Sequence, residues 1–171
     1  MNPLLKIFVD LCLLRSAPQD LPASLWLLKL TVAANLLASL VLSLGMQLDF
    51  VLTLAQGALE IALLLGLIWL VLNLTSHVER FVQTATAAMG CSALLGLAAI
   101  PVVSLAGSDN EDLALLAGLS MLALVIWSIV VLGHVLRHAL EIRHGQGVML
   151  ATAYTFGSYA LLGLLFPASS G

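Results

Sequence analysis

The sequence predicts an all-α integral membrane protein, a bundle of five transmembrane helices with an amphipathic interfacial helix at its N-terminus. Of its 171 residues, 61% are hydrophobic and 9% are charged, and the mean hydropathy is +1.12. Soluble domains carry about 25% charged residues, and so large an apolar exterior would aggregate in water. Five spans of about 20 apolar residues would use most of the chain. We therefore expect residues 1–171 to form one membrane domain.

The chain begins with a segment too short to cross a bilayer. Residues 4–15 carry apolar side chains at helical spacing, with three charged residues among them. This pattern is typical of a helix that lies in the membrane interface. Pro18 and Pro22 then mark a loop.

Five longer apolar segments follow, separated by short polar stretches. We expect the fourth helix to leave the hydrocarbon near Leu136 and to continue to about Arg143. Gly145-Gln146-Gly147 then indicates a helix end, and Pro167 ends the last span. The predicted spans are about 24–46, 50–75, 81–106, 113–136 and 148–166.

Charge along the chain predicts the topology. If the N-terminus is cytoplasmic, the cytoplasmic segments hold every basic residue of the chain, and the other side holds acids alone. This is the positive-inside pattern, and it predicts five spans with the N-terminus in the cytoplasm and the C-terminus outside. The basic residues are Lys6, Arg15, Lys29, Arg80, Arg137 and Arg143, and the opposing acids are Asp49, Asp109, Glu111 and Asp112.

Small residues recur every four positions in four of the spans. Such spacing lets helix backbones approach closely in lipid, within one chain or between chains. The predicted packing residues are Ala58, Ala62 and Gly66 in the second span, Ala88, Ser92 and Gly96 in the third, Ala114 and Gly118 in the fourth, and Ala153 and Gly157 in the fifth.

Glu60 is the sharpest candidate for a functional residue. It lies near the middle of the second span, where a carboxylate is costly and usually marks a function. Burial there favours the protonated form. Asn35 lies at similar depth in the first span, within reach for a hydrogen bond. Two interpretations follow: a proton or cation site, and a neutral polar clasp between helices. The lack of a basic residue at that depth favours the clasp.

The histidines form a second candidate site at the cytoplasmic side. His134, His138 and Glu141 share one helical face, and His77 comes from a neighbouring loop. Imidazole and carboxylate groups at this spacing can ligate zinc or a similar metal, and two facing histidines can hold a haem. The alternative is a set of headgroup contacts with an ordinary His138–Glu141 surface pair.

Other chemistry is not indicated by the sequence. No nucleophile–base constellation or phosphate-binding glycine loop is visible, so we expect no enzyme activity and no cofactor. No basic patch is large enough for nucleic acid. Cys12 and Cys91 are interpreted as small packing residues rather than a disulfide framework.

Several local motifs resemble the Yip-domain family, small membrane proteins named for their interaction with Ypt/Rab GTPases. The resemblance covers most of the chain, but its motifs are short and apolar, and the long cytosolic N-terminal region of the eukaryotic members is missing. The motifs are Glu79-Arg80-Phe81-Val82-Gln83-Thr84 before a helix with Gly90 and Pro101, Trp127-Ser128-Ile129-Val130 with His134-Val135-Leu136-Arg137, and Gly147 with Ala151 and Tyr154.

The resemblance implies a compact bacterial-type member in the inner membrane, and Rab binding does not carry over. The expected function is that of a non-enzymatic scaffold, adaptor or accessory subunit, which contacts lipids, other membrane proteins or a second copy of itself. The alternatives are a small transporter or channel component that uses Glu60, and a metal- or haem-binding subunit that uses the histidines.

Overall fold

The computed structural model describes residues 3–45, 49–107 and 110–166, and these are helical almost throughout. Asp109, one of the opposing acids, and Pro167, the predicted end of the last span, lie outside the described residues. The five predicted apolar spans are confirmed as helices long and apolar enough to cross a membrane. The helices are α1 (Pro3–Cys12), α2 (Leu25–Gly45), α3 (Phe50–Leu74), α4 (Phe81–Ala106), α5 (Glu111–Leu140) and α6 (His144–Leu165).

Helix α1 is shorter than the predicted segment 4–15. It ends at Cys12 because Leu14 adopts a left-handed conformation with φ of 61°. The amide of Arg15 then donates to the carbonyl of Asp10 (2.7 Å). The amide of Leu14 donates to the carbonyl of Leu11 (3.0 Å). This pair of bonds is a Schellman motif, which closes a helix and turns the chain away from its axis.

The boundary between α5 and α6 also differs from the prediction. Helix α5 ends at Leu140 rather than near Arg143, because Glu141 is left-handed with φ of 56°. Helix α6 begins at His144, so Gly145-Gln146-Gly147 forms its first turn and is not a helix end. The side-chain oxygen of Gln146 accepts a hydrogen bond from the backbone amide of Arg143 at 3.1 Å and caps this turn.

Helix α4 is the central element of the bundle. Every residue from Thr84 to Cys91 is buried, so neighbours surround the helix on all sides at this level. Most of these side chains are small, which lets α1, α2 and α5 approach closely. The hydroxyls of Thr84 and Thr86 donate to the carbonyls of Arg80 (2.8 Å) and Val82 (2.6 Å), so neither buried group lacks a partner.

Two glycines bring α5 and α6 into close contact. A Cβ at Gly147 would overlap the carbonyl oxygen of Gly133, and a Cβ at Gly133 would lie 2.8 Å from Cα of Val148. Both glycines are buried. The crossing is therefore a backbone-to-backbone contact that a side chain at either position would block.

Helix α1 and the turn after it cover the end of the bundle at which α2, α4 and α6 begin, hereafter the basic end. Leu11 and Leu21 are buried against the core. The side chain of Gln83 donates to the carbonyl of Leu21 (2.7 Å), and that of Gln19 donates to the carbonyl of His138 (2.9 Å). These bonds fix the α1–α2 connection on α4 and α5.

The predicted small-residue stripes lie mostly on the wrong face for packing within this chain. In α3 the buried residue facing α2 is Gly57, whose added Cβ would lie 3.1 Å from Leu36, whereas the predicted Ala58 is exposed. In the first half of α5 the buried residue is Ala117, not Ala114 or Gly118. Lipid-facing and core-facing surfaces are both apolar, so a periodic pattern does not distinguish them.

The remaining stripe residues divide into two groups. In α4, Ala88 is buried and Gly96 lies against Ala38 of α2, with 3.3 Å between an added Cβ and the Ala38 Cβ. Across α3 and α6, the small residues face a groove of about 370 Å³ instead of touching. That groove is lined by Ala62 and Gly66 on α3 and by Ala153 and Gly157 on α6.

The end of α3 gives a prediction about stability. Ser76 is left-handed with φ of 60° and closes α3 through the bond from His77 to Leu72 (2.8 Å). Glycine adopts this conformation without the steric cost of a Cβ. Ser76→Gly is expected to raise the free energy of unfolding in mixed micelles by about 0.5–1 kcal/mol. Ser76→Ala is the matched control, because alanine keeps the Cβ and its steric cost. An equal gain in the free energy of unfolding in both variants would contradict the explanation.

Candidate functional site

An open cavity of about 250 Å³ takes lining residues from all five long helices and combines apolar with polar side chains. It extends from the middle of the spans towards the end opposite the basic end. At about 30 Å³ per molecule, such a volume accommodates several waters or one small ligand. Its polar lining residues are Asn35, Ser39, Glu60, Ser92, Ser128 and Tyr159, and Met89 and Met121 add two thioethers.

Glu60 supplies the acidic group of this cavity. It is the eleventh residue of the 25-residue α3, which places it near the middle of the span. Its side chain is exposed on the cavity wall, and within the described residues its carboxylate makes no hydrogen bond or ion pair. The Tyr154 hydroxyl donates to the backbone carbonyl of Glu60 at 3.3 Å and holds α6 against α3 at this level.

Asn35 lies on the same cavity but does not bond to Glu60. Its side-chain nitrogen lies 3.8 Å from the sulfur of Met89, which is a weak acceptor. The hydrogen bond that the sequence analysis considered between Asn35 and Glu60 is therefore not formed. The two groups line the same cavity without bonding, so the geometry does not form a direct clasp between α2 and α3.

The other polar groups differ in how far they are engaged. The hydroxyl of Ser39 donates to the carbonyl of Asn35 (3.1 Å), and that of Ser128 donates to the carbonyl of Val125 (2.8 Å). Each oxygen keeps lone pairs that can accept from a ligand. Ser92 is exposed on the cavity wall. The cavity thus joins the Glu60 carboxylate to several oxygen acceptors near the middle of the long helices.

The histidines at the basic end contact each other and groups of the surrounding chain. The rings of His134 and His138 meet edge to face with centroids 4.6 Å apart. Nε2 of His134 lies 2.9 Å from the carbonyl of Ser16, and Nε2 of His138 lies 3.1 Å from the Arg137 guanidinium. His134 is 4% exposed, so it fixes the α1–α2 connection to α5.

The metal site predicted from His134, His138, Glu141 and His77 is not formed. In the part of the chain that the structure describes, no group of three or more histidine, cysteine or acidic side chains could hold a metal ion. The physical reason is that two of the four groups are engaged elsewhere. His134 bonds to a backbone carbonyl, and the Glu141 carboxylate bonds to Arg80. The left-handed end of α5 at Glu141 also removes this residue from the predicted helical face.

Arg80 connects the α3–α4 loop to the end of α5. Its Nη2 donates to Oε1 of Glu141 at 2.7 Å, and its Nη1 donates to the carbonyl of Ala139 at 3.2 Å. The Arg80 guanidinium holds the pKa of the Glu141 carboxyl below its ordinary value. The Glu141 side chain is exposed and that of Arg80 is partly exposed, so solvent screens the pair and its contribution is small.

This pair gives a prediction about pH. Because the folded-state pKa of Glu141 is lowered, its stabilisation is present above the unfolded pKa and is lost as the pH falls through the folded pKa. Glu141→Gln is expected to lower stability slightly at neutral pH and to match the wild type in acid, measured by unfolding in mixed micelles across pH. Glu79→Gln is the control, because that carboxylate is farther from Arg80, at 3.9 Å against 2.7 Å for Glu141. A deficit of Glu141→Gln that persisted in acid would contradict the ion-pair explanation.

No family model, curated protein or solved structure matches this chain. The resemblance to the Yip-domain family therefore rests on its sequence motifs. In the fold, several motif residues join helices: Arg80 and Gln83 tie the α3–α4 loop and α4 to their neighbours, and His134 ties α5 to the α1–α2 connection.

Sequence reasoning found Glu60 and Asn35 but not the cavity that contains them. Ser39, Ser128 and Tyr159 were missed, and Ser92 was assigned to packing. One signal was present, since Asn35 and Ser39 are four residues apart and share a helical face. The convergence of five helices on one cavity requires the tertiary structure, because serine in a membrane helix most often bonds to its own backbone.

Proposed function

We propose that this chain is a non-enzymatic membrane protein that binds a proton or a small cation at Glu60 in the central cavity, as a component of a transporter or channel. The observation that supports this best is the position of the carboxylate, which has no partner among the described residues and faces a cavity lined by all five long helices. A carboxylate at mid-membrane depth needs a proton, a cation or a hydrogen-bond donor.

The chemistry of the lining favours a hard cation or a proton. The Glu60 carboxylate and the serine and amide oxygens are ligands that such cations prefer. The lining carries no lysine, arginine or histidine that would serve as an internal counter-ion. An anion would meet the acid without a compensating positive charge. The site therefore fits a positively charged species or a neutral hydrogen-bond donor.

A second candidate function is that of a scaffold, adaptor or accessory subunit that works through contacts with lipids, other membrane proteins or a second copy. It is supported by the outward faces of α5 and α6, where large apolar side chains such as Leu115, Leu119 and Leu164 are more than half exposed. The two functions are compatible, because an accessory subunit can carry the cation site of a larger assembly.

The cellular setting is part of the proposal. The loops with basic residues are joined at one end of the bundle, for example through the Arg80–Glu141 pair, and this supports a cytoplasmic N-terminus and an external C-terminus by the positive-inside rule. The motifs that resemble the Yip-domain family support an inner-membrane protein of bacterial type. Reporter fusions to each terminus test the orientation.

The test of the cation site is covalent labelling of Glu60. An apolar carbodiimide enters the bilayer and reacts with protonated carboxyls. In nanodiscs it is expected to label Glu60, and labelling should fall as the pH rises or as sodium, potassium or methylammonium chloride is added. Tetrabutylammonium chloride at the same ionic strength controls for salt. Peptide mapping by mass spectrometry locates the adduct.

Two variants make this test specific. Glu60→Gln should lose the adduct, and Glu79→Gln, at an exposed loop position, should keep it. If Glu60 in the wild type is not labelled, or if its labelling is the same at every pH and with every salt, the site does not exchange a proton or a cation. The scaffold, adaptor or accessory-subunit function would then replace the proposal.

A further inference from the structure

The two cysteines, 79 positions apart in the chain, meet where α1 packs on α4. Their side chains interact at this contact. Cys91 is 2% exposed in the core, and Cys12 packs against that core while remaining partly accessible. The sequence interpretation of both as separate packing residues missed this contact.

The surrounding contacts hold α1 in this position. The ring of Phe8 lies so close to Gly90 that a Cβ there would overlap it, and Leu11 is fully buried. The indole nitrogen of Trp127 donates to the carbonyl of Cys12 at 3.1 Å and fixes the end of α1. Phe8 and Cys12 are four residues apart on one face of α1, and Phe8 lies against Gly90, the neighbour of Cys91.

We propose that Cys12 and Cys91 form a peroxide-sensitive thiol pair, in which Cys12 reacts with a hydroperoxide and Cys91 resolves the product into an intramolecular disulfide. The oxidant is hydrogen peroxide or a lipid hydroperoxide, both of which reach a helix in the membrane interface. The proposal is independent of the cation site at Glu60.

The order of the two steps follows from exposure and hydrogen bonding. Cys12 is the accessible partner, and the bond from Cys91 holds the pKa of the Cys12 thiol below its ordinary value. Thiolate character and access are what make a cysteine reactive. Cys91 is buried, but its side chain interacts with that of Cys12, whose sulfur it must attack.

The chemistry balances with the peroxide as the two-electron oxidant. The Cys12 sulfur attacks the peroxide, forming an S–O bond and breaking the O–O bond, and the thiol proton leaves with the departing oxygen as water or an alcohol. The Cys91 sulfur then attacks the sulfenic acid, forming the S–S bond and breaking the S–O bond. The second oxygen leaves as water with the Cys91 proton. The product fastens α1 covalently to α4.

The test is peroxide treatment of the reduced full-length protein in nanodiscs, read by intact mass and peptide mapping. The wild type is expected to lose two hydrogen atoms and to yield a linked peptide pair containing Cys12 and Cys91. Cys91→Ser should accumulate a sulfenic acid at Cys12 that dimedone traps. Cys12→Ser should slow oxidation of Cys91 about tenfold or more, since burial shields it.

Several results would overturn the proposal. One is that both thiols stay reduced under conditions that oxidise glutathione. Others are that Cys12 proceeds to sulfinic acid without a disulfide, or that the disulfide joins two chains. Cys91→Ala is made in parallel with Cys91→Ser, and thermal unfolding of both in detergent shows that loss of the reaction is not loss of the fold.

Discussion

Gly147→Ala is expected to destabilise the protein by about 2–3 kcal/mol, a large effect for one methyl group. The added Cβ would overlap the carbonyl oxygen of Gly133 and lie 3.2 Å from the backbone nitrogen of Arg137. Backbone atoms cannot move aside as a flexible side chain does, so α5 and α6 must separate. Separation would also weaken contacts along the rest of the crossing, where Ala139 and Ala151 are buried.

The matched control for this prediction lies on the same helix. Gly157→Ala adds the same methyl group where no atom lies within 4 Å, and alanine favours helix over glycine by about 1 kcal/mol. We therefore expect Gly157→Ala to be neutral or stabilising in the same unfolding assay in mixed micelles. Equal effects of the two substitutions would show that α5 and α6 do not cross at Gly147.

Filling the cavity is expected to weaken cation protection of Glu60 while leaving Glu60 in place. Ser92→Leu adds a large apolar side chain to the cavity wall on α4 and removes a hydroxyl. The apparent affinity for a cation, measured by protection from the carbodiimide, should fall about tenfold or more, since the lost oxygen and the lost space both weaken binding.

Ser104→Leu is the control on the same helix. Ser104 is exposed, does not line the cavity, and donates to the carbonyl of Ile100 at 3.1 Å. Its substitution should leave the protection of Glu60 unchanged. If a cation protects Glu60 in both Ser92→Leu and Ser104→Leu as well as it does in the wild type, the cation does not occupy this cavity.

The positions of the long helices could be predicted because apolar length and turn residues determine a membrane span. The predicted 81–106 coincides with α4, and 50–75 differs from α3 by one residue. The ends of α1 and α5 were missed for one reason. Leu14 and Glu141 close these helices in a left-handed conformation, which a leucine or a glutamate does not signal in a sequence.

The faces of the helices were harder to predict than their positions. In water the buried face of a helix is the apolar one, but in lipid both faces are apolar. The sequence therefore favoured Ala58 where the structure buries Gly57, and it interpreted Gly147 as a helix end where the structure buries it against Gly133. Glu60 was found because a charge in a span is costly wherever it faces.

The contact between Cys12 and Cys91 shows a second kind of limit. Nothing in the local sequence of either cysteine predicts contact with the other. Their meeting depends on α1 folding back over α4, and that in turn depends on the Gly90–Phe8 contact and on the bonds of the α1–α2 connection. Long-range packing of this kind follows from the complete fold rather than from any one motif.

The measurement that tests the central claim most directly is infrared difference spectroscopy of the protein in nanodiscs, with Glu60→Gln as the reference. The account predicts a carbonyl band from a protonated Glu60 carboxyl, absent in the variant, which converts to a carboxylate band as a cation that protects Glu60 is added. A Glu60 band that no cation changes and that persists over the accessible pH range would contradict the account, because the carboxyl would then be a fixed structural group.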